Sequence, residues 1–142
     1  MCIFLCNFAA LLGSQYIVTM SRKVLLIFTG GTISMVRDTE TGALHPADMQ
    51  TFKTYVPELF AGDIHIDMIP FEPLLDSSDL NPDNWREMAQ MVEQNYDAYD
   101  GFVILHGTDT MAYSASALSF MFDNLCKPVV FTGSQLPVGV LR

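Results

Sequence analysis

The chain has 142 residues, of which half are hydrophobic and 16% are charged, and its formal net charge is −9. This composition is typical of a globular domain with a core and excludes an intrinsically disordered chain. So acidic a chain would repel phosphate backbones, which argues against nucleic acid as a partner. The cysteines (Cys2, Cys6 and Cys126) and the three widely separated histidines predict neither a disulfide framework nor a metal site.

The first nineteen residues are apolar and contain no Lys or Arg. A signal peptide needs a basic segment before its apolar one, and the apolar part, residues 2–12, is too short to cross a bilayer, so no membrane association is expected. We hypothesise that Met20 is the natural start, which would make residues 1–19 a doubtful leader before a domain at residues 20–142. The alternative is an atypical export signal, which N-terminal sequencing of the native protein would distinguish.

The apolar run at residues 24–28 predicts a buried strand over residues 23–29, ending in Thr-Gly-Gly-Thr at residues 29–32. Two glycines allow a sharp turn and leave backbone N–H groups uncovered by side chains. Thr32 then places a hydroxyl beside those donors, which is the arrangement that acyl transfer requires. The alternative interpretation is a tight strand exit without a chemical role.

Three further elements come before the next polar segment. Residues 36–46 are polar and are predicted to be a loop, either plain surface or a mobile lid. Apolar residues at helical spacing from Phe52 to Leu59 predict a helix that Pro57 should bend or end. Alternation over residues 64–69 predicts a second strand that is less completely buried than the first.

A polar run at residues 76–79 precedes the second helix. Asn81 is a good N-cap and Pro82 a good first helical residue, and the buried stripe of the helix should run from Trp85 to Val92. The polar run therefore lies in the loop between strand two and helix two. It is interpreted either as an ordinary polar loop with capping or as part of a binding site.

The last two predicted strands also run into polar segments. The third, at residues 102–106, is followed by Gly-Thr-Asp-Thr at residues 107–110, and Thr108 or Asp109 is expected to cap the next helix. The fourth strand, at residues 128–132, is followed by Gly-Ser-Gln-Leu-Pro.

The alternation of strands and helices predicts an α/β fold, with a mostly parallel sheet and helices on both faces. Ligands of such sheets bind beyond the carboxyl ends of the strands, where the four polar segments should meet. These segments contain no Walker-type lysine, dinucleotide fingerprint, metal set or His–Ser pair. We therefore expect no cofactor, and a small ligand carrying an amine, a carboxylate and an amide is favoured over a nucleotide.

Four segments, at residues 29–33, 76–79, 106–111 and 132–137, resemble those of the bacterial type I, cytoplasmic L-asparaginases. Their order and spacing agree over residues 23–142. The resemblance implies the N-terminal catalytic domain of that family and the hydrolysis of L-asparagine to L-aspartate and ammonia. It also implies a cytoplasmic location and a homo-oligomer, either a dimer or a tetramer, when the protein is full length.

The resemblance implies a role for individual residues. Thr32 is the nucleophile, Thr108 is the second catalytic threonine, and Asp109 is a catalytic residue that binds the α-ammonium group. The serines of the second segment would hold the α-carboxylate, and backbone N–H groups of Gly31 and Thr108 would form the oxyanion hole. The substrate-binding residues that it implies are Ser77, Ser78, Asp109, Gly31 and Gly107.

The chain departs from the family in two respects. Family members carry a tyrosine in the loop after the nucleophile, whereas residues 41–46 contain none. They are also considerably longer, and their catalytic lysine lies beyond Arg142, as does their smaller C-terminal domain. Because a threonine hydroxyl needs a base, we expect the chain as written to be an incomplete enzyme. The alternatives are the amidase subunit of a tRNA-dependent amidotransferase and a non-catalytic amino-acid-binding domain.

Overall fold

The computed structural model describes residues 2–5, 21–38, 40–47, 49–138 and 140. In chain order its elements are β1 (Cys2–Leu5), β2 (Lys23–Gly30), β3 (Met35–Arg37), β4 (Leu44–Pro46), α1 (Met49–Tyr55), α2 (Pro57–Phe60), β5 (His65–Leu75), α3 (Pro82–Gln94), β6 (Gly101–Leu105), α4 (Met111–Met121) and β7 (Val129–Thr132). Short 3₁₀ turns at Thr32–Ser34 and Ser77–Asp79 follow β2 and β5. In the described part of the chain, none of the helices has the length and apolar character needed to span a membrane.

The main sheet has the strand order β1-β7-β6-β2-β5. Strand β2 pairs in parallel with β5 and β6, and β6 pairs in parallel with β7, which confirms the predicted parallel sheet. Strand β1 pairs with β7 in the antiparallel direction and falls within the predicted leader. The remaining predictions for residues 6–19 lie outside the described residues, and the start at Met20 stays a prediction.

Side chains of β2 alternate between the two faces of the sheet, as the period of a strand requires. Leu25 and Ile27 join the core beneath α3 and α4, whereas Leu26 and Phe28 pack with Phe52 of α1 on the other face. All five side chains are almost completely buried, and the predicted placement of helices on both faces is confirmed.

Helix α3 begins where the sequence predicts. The Asn81 side chain accepts hydrogen bonds from the N–H groups of Asp83 and Asn84, and the Asn84 side chain accepts one from the Asn81 N–H. This reciprocal capping box fixes the start of the helix, with Pro82 at its first position. The break at Pro57 is likewise confirmed, because α1 ends two residues before it and α2 begins with it.

The prediction of a loop at residues 36–46 is wrong, because these residues contribute to a hairpin of β3 and β4. At its turn the Asp38 carboxylate accepts the N–H groups of Glu40 and Thr41, which lowers the pKa of Asp38, and Gly42 adopts a φ of 71°. Strands of three residues are too short to show a period of two, which explains why the pattern does not reveal them.

The second predicted strand, at residues 64–69, is too short. Strand β5 extends from His65 to Leu75 and reaches the polar turn itself. Prolines at positions 70 and 73 hide this extension, because proline within a strand normally argues against one. Strand β5 is an edge of the sheet, where a missing N–H is tolerated. The other three predicted strands begin and end within one residue of those observed.

Candidate active site

The carboxyl ends of β2, β5 and β6 and the segment after β7 surround a cavity of about 340 Å³. The lining residues are Gly30, Gly31, Thr32, Ser34, Met35, Leu74, Leu75, Asp76, Ser77, Gly107, Thr108, Asp109 and Gln135. Six of the seven residues assigned to the site therefore lie in one cavity. The exception is Ser78, which is outside the described residues that line it.

Glycines allow the strand ends to approach one another closely. A Cβ atom on Gly31 would lie 2.6 Å from the Cα and N atoms of Gly107, and one on Gly107 would lie 2.2 Å from the Ser77 hydroxyl oxygen. Gly31 also adopts φ 82° and ψ 172°, a conformation that is essentially restricted to glycine. The Gly-Gly-Thr and His-Gly-Thr segments are therefore in backbone contact.

Several hydroxyl groups near the cavity hold the strand ends together. The Thr29 hydroxyl donates to the carbonyl oxygen of Leu105 at 2.7 Å, which ties β2 to β6 in the interior. The Thr110 hydroxyl donates to the carbonyl oxygen of Ser77 at 2.7 Å, which ties the start of α4 to the turn after β5. The Ser34 hydroxyl donates to the carbonyl oxygen of Gly31 at 2.6 Å. These groups have structural partners and are not available for chemistry.

This use of Thr110 also corrects the prediction that Thr108 or Asp109 caps α4. Thr110 itself occupies the N-cap position, and no side-chain hydrogen bond caps the helix. The Thr110 hydroxyl is committed to the turn after β5, and Thr108 and Asp109 lie before the helix in the cavity lining.

The two threonines predicted to be catalytic differ from their structural neighbours. Thr32 and Thr108 are half-buried and line the cavity, and among the described residues neither hydroxyl has a hydrogen-bond partner. A half-buried hydroxyl without a partner is available to a bound molecule. Of the two threonines in Thr-Gly-Gly-Thr, Thr29 therefore has a structural hydroxyl, and Thr32 has a hydroxyl that a bound molecule could contact.

The turn after β5 arranges its polar side chains differently from expectation. The Asp76 carboxylate accepts both the N–H of Ser78 (2.9 Å) and its hydroxyl (2.8 Å), and these bonds lower the pKa of Asp76. Ser77 is buried and lines the cavity, whereas Ser78 is exposed and its hydroxyl is engaged by Asp76. Asp76 is thus a lining residue to which sequence reasoning gave no role, although it stands in the second polar segment.

Two carboxylates, Asp76 and Asp109, therefore face the same cavity. Their negative charges favour a ligand group that is cationic, such as an ammonium. No histidine, lysine or tyrosine is among the described residues that line the cavity, so the carboxylates of Asp76 and Asp109 are the proton acceptors that this lining offers, and the bonds from Ser78 that lower the pKa of Asp76 make it the poorer base for this.

His106 is fully buried directly before Gly107. Its Nδ1 lies 2.7 Å from the carbonyl oxygen of Gly107, which assigns the proton to Nδ1, and Nε2 has no partner among the described residues. Burial lowers the pKa of His106, so the ring is neutral. The ring packs edge-on against Phe131 in the interior of the protein.

Size alone does not identify the site. A larger and more open groove of about 710 Å³ lies at the amino ends of β2 and β5 and contains Arg22, Lys53 and His65, but none of the residues assigned to chemistry. Among the described residues there is no group of three His, Cys, Asp or Glu side chains that could hold a metal ion. The smaller cavity is preferred because hydroxyls, carboxylates and strand-end backbone converge on it.

The chain is similar to known proteins over most of its length. A family described as "Asparaginase, N-terminal" matches residues 23–142. L-asparaginase 1 of Escherichia coli is 45% identical over 122 residues, which are 85% of this chain and 36% of that protein. The crystal structure of L-asparaginase I from Vibrio cholerae is 45% identical with a TM-score of 0.76, over 87% of this chain and 37% of that one.

The chain is also similar to a protein that is named as an amidotransferase subunit and not as an asparaginase. A glutamyl-tRNA(Gln) amidotransferase subunit of Thermoplasma acidophilum is 41% identical over 119 residues, which are 80% of this chain and 27% of that protein. The chain thus spans little more than a third of the length of the asparaginases that it matches.

Proposed function

This chain belongs to the asparaginase N-terminal family, and we propose from that premise that its protein hydrolyses the side-chain amide of L-asparagine to L-aspartate and ammonia. The observation that carries the proposal is the convergence of Thr32 with the pair Thr108 and Asp109 on one small cavity. Identity of 45% to L-asparaginase 1 supports the same reaction.

The proposed chemistry begins with attack of the Thr32 hydroxyl oxygen on the amide carbon. The tetrahedral oxyanion would be stabilised by N–H groups of Gly31 and Thr108, at the point where the two strand ends are in backbone contact. Ammonia leaves with the proton that the hydroxyl gave up, and a threonyl ester of aspartate remains. Water then cleaves this ester and releases aspartate.

Substrate binding follows from the charges around the cavity. Asp109 would bind the α-ammonium group, and Asp76 adds a second carboxylate near it. Ser77, with Gly31 and Gly107, remains a proposed contact for the substrate. Ser78 is kept as a proposed α-carboxylate ligand, although its hydroxyl would have to leave Asp76 to serve.

Activation of Thr32 requires a base that accepts the proton of its hydroxyl group, and the cavity lining has no histidine, lysine or tyrosine among the described residues to do this. The bases among the described lining residues are Asp76 and Asp109, which are both proposed above to hold the substrate's ammonium group, and the hairpin that follows Thr32 has no tyrosine at residues 41–46. We therefore expect residues 20–142 alone to release ammonia far more slowly than a protein of the full length of the relatives. A normal enzyme rate for this fragment would contradict that expectation.

We also propose a cytoplasmic location and a homo-oligomer for the full-length protein, because the segments resemble those of the cytoplasmic type I enzymes. The alternative reaction, as the amidase component of a tRNA-dependent amidotransferase, is supported by the 41% identity to the Thermoplasma acidophilum protein. The two are distinguished by substrate, since an asparaginase releases ammonia from free asparagine without tRNA.

The reaction is tested by ammonia release from L-asparagine by the full-length protein. Thr32→Ala should reduce kcat at least about a thousandfold, since the covalent route is lost. Thr54→Ala, which alters an exposed threonine on α1 that is not among the lining residues, is the matched control and should stay within about twofold. Aspartate binding without ammonia release by the unaltered protein would instead support a non-catalytic amino-acid-binding domain.

A further inference from the structure

The peptide that joins Gly107 to Thr108 carries one of the two N–H groups proposed to stabilise the oxyanion. This peptide is trans, so its C=O and N–H bonds point in opposite directions and the orientation of one fixes that of the other. Thr108 lines the cavity, and its N–H has no hydrogen-bond partner among the described residues. The direction of this N–H therefore depends on what holds the carbonyl group of Gly107.

Steric contact requires a glycine at this point, although a glycine leaves the peptide poorly restrained. A Cβ atom on Gly107 would lie 2.2 Å from the hydroxyl oxygen of Ser77. Glycine has a wider range of φ and ψ than any other residue, so the peptide that follows it rotates easily. A donor to an oxyanion must be held in place before the reaction begins. The restraint that glycine lacks has to come from another group.

The side chain of His106 supplies such a restraint. Its Nδ1 lies 2.7 Å from the carbonyl oxygen of Gly107 and must be the donor, because a carbonyl oxygen only accepts. The histidine is itself held in place, since its backbone N–H donates to the carbonyl oxygen of Thr132 at 2.9 Å and its ring packs against Phe131. The described residues bury His106 completely, so these contacts are all internal.

The buried ring also has an unpaired nitrogen, which packing alone does not require. Nε2 of His106 has no hydrogen-bond partner among the described residues, and a buried polar atom in this state destabilises the fold. An apolar side chain would pack against Phe131 without leaving such an atom. Burial lowers the pKa of His106, so the ring is neutral and its one proton is on Nδ1.

We propose that His106 is a positioning residue, whose Nδ1–H holds the carbonyl group of Gly107 and thereby directs the N–H of Thr108 towards the oxyanion. The segment after β7 restrains the same backbone, because a Cβ atom on Gly133 would lie 2.3 Å from the carbonyl oxygen of His106 and 3.3 Å from the Thr108 methyl group. The inference rests on the proposed function for the reaction itself, and it adds a residue outside the cavity lining.

Three replacements of His106 in the full-length protein test the proposal through ammonia release from L-asparagine. His106→Asn keeps an amide N–H near the position of Nδ1, whereas His106→Leu has a similar shape without a donor and His106→Gln carries its amide near the position of Nε2. We expect His106→Leu and His106→Gln to lower kcat about tenfold and to change KM less than about twofold, because the oxyanion forms only after binding. His106→Asn should keep kcat within about threefold.

The expected loss is moderate because the N–H of Thr108 is still present in all three variants. Complete removal of an oxyanion donor lowers kcat by about a hundredfold or more, whereas here the donor only loses its fixed direction.

Phe131→Leu is the matched control for lost packing. It removes the ring that packs against His106 and leaves the hydrogen bond to Gly107 in place. It should lower the midpoint of urea unfolding, as His106→Asn should, and keep kcat within about twofold. If a loss of packing were the cause of the lower activity, Phe131→Leu would lose as much kcat as His106→Leu.

Nuclear magnetic resonance tests the hydrogen bond without reference to activity. In full-length protein with isotope-labelled histidine and threonine, the ring of His106 should be protonated at Nδ1. The amide signal of Thr108 should shift in His106→Leu and stay close to its original position in Phe131→Leu. If His106→Leu does not fold, His106→Gln replaces it in both experiments.

The proposal is overturned by an unchanged kcat in His106→Leu, by equal losses in His106→Leu and His106→Asn, by a rise in KM in place of the fall in kcat, or by a ring protonated at Nε2. The unaltered protein is assayed in parallel. If it releases no ammonia, the proposed function fails, and the Thr108 amide signal then decides whether His106 directs this peptide.

Discussion

Replacement of glycines by alanine separates backbone strain from steric contact at the candidate site. Gly31 has both, since its φ is 82° and a Cβ would lie 2.6 Å from backbone atoms. Gly107 has contact alone, with the Ser77 side chain at 2.2 Å. Gly42 has only backbone strain, since its φ is 71° and an added Cβ atom would have no neighbour within 4 Å. Gly62 has neither a positive φ nor a neighbour within 4 Å of an added Cβ atom.

The expected loss of stability follows from these differences. Strain in a conformation restricted to glycine costs about 1–3 kcal/mol, and forced repacking adds about 1–3 kcal/mol. We expect Gly31→Ala to lose about 2–6 kcal/mol, Gly107→Ala about 1–3 kcal/mol, Gly42→Ala about 1–2 kcal/mol and Gly62→Ala less than about 0.5 kcal/mol. The loss for Gly31→Ala is a large part of the total stability of a domain, which is about 5–15 kcal/mol.

Urea unfolding followed by far-UV circular dichroism measures these differences in the free energy of unfolding. The reasoning also predicts that Ser77→Gly restores most of the stability lost in Gly107→Ala, because it removes the atoms that the new methyl group would contact. Equal losses for Gly31→Ala and Gly42→Ala would refute the claimed contact between the strand ends. A loss for Gly62→Ala as large as that for Gly31→Ala would refute the reasoning altogether.

Three further predictions concern hydrogen bonds. Thr110→Val removes the hydroxyl bonded to the turn after β5 and should cost about 1 kcal/mol in urea unfolding and raise KM more than it lowers kcat. Ser78→Ala should raise the lowered pKa of Asp76 towards its ordinary value in an NMR titration; the stabilisation by this carboxylate is present above the ordinary pKa and is lost as the pH falls through the lowered one. Trp85, the one tryptophan of the chain, donates to the Ser114 hydroxyl at 2.9 Å, so Ser114→Ala should shift its fluorescence and cost about 1 kcal/mol.

Elements with a strong local pattern could be predicted from the sequence. The apolar run of β2 has side chains in both cores, which is why it is continuous and easy to recognise. The start of α3 follows from Asn81 and Pro82, whose capping requires only neighbouring residues. The convergence of polar segments follows from the rule that parallel strands end at one edge.

The predictions that failed concern contacts that leave no periodic pattern in the sequence. The hairpin of β3 and β4 depends on pairing between strands three residues long, for which no periodic pattern exists. The side chain of Thr110, at the N-cap of α4, does not cap the helix because its hydroxyl donates to the carbonyl oxygen of Ser77, 33 positions earlier in the chain. The Ser78 hydroxyl binds the Asp76 carboxylate because a 3₁₀ turn brings the two side chains together, and the sequence alone does not predict this turn.

The segments at residues 29–32 and 107–110 each contain one threonine whose hydroxyl holds the fold together and one whose hydroxyl has no partner among the described residues. Thr29 and Thr110 bind backbone carbonyls, and Gly31 and Gly107 permit contact between strand ends, so the fold itself requires them. A relative that no longer turned over substrate would still need these four residues. The threonine hydroxyls that have no described partner are the ones that a purely structural domain could discard. Thr32 and Thr108 are therefore the positions at which a replacement should remove ammonia release while the unfolding curve stays where it was.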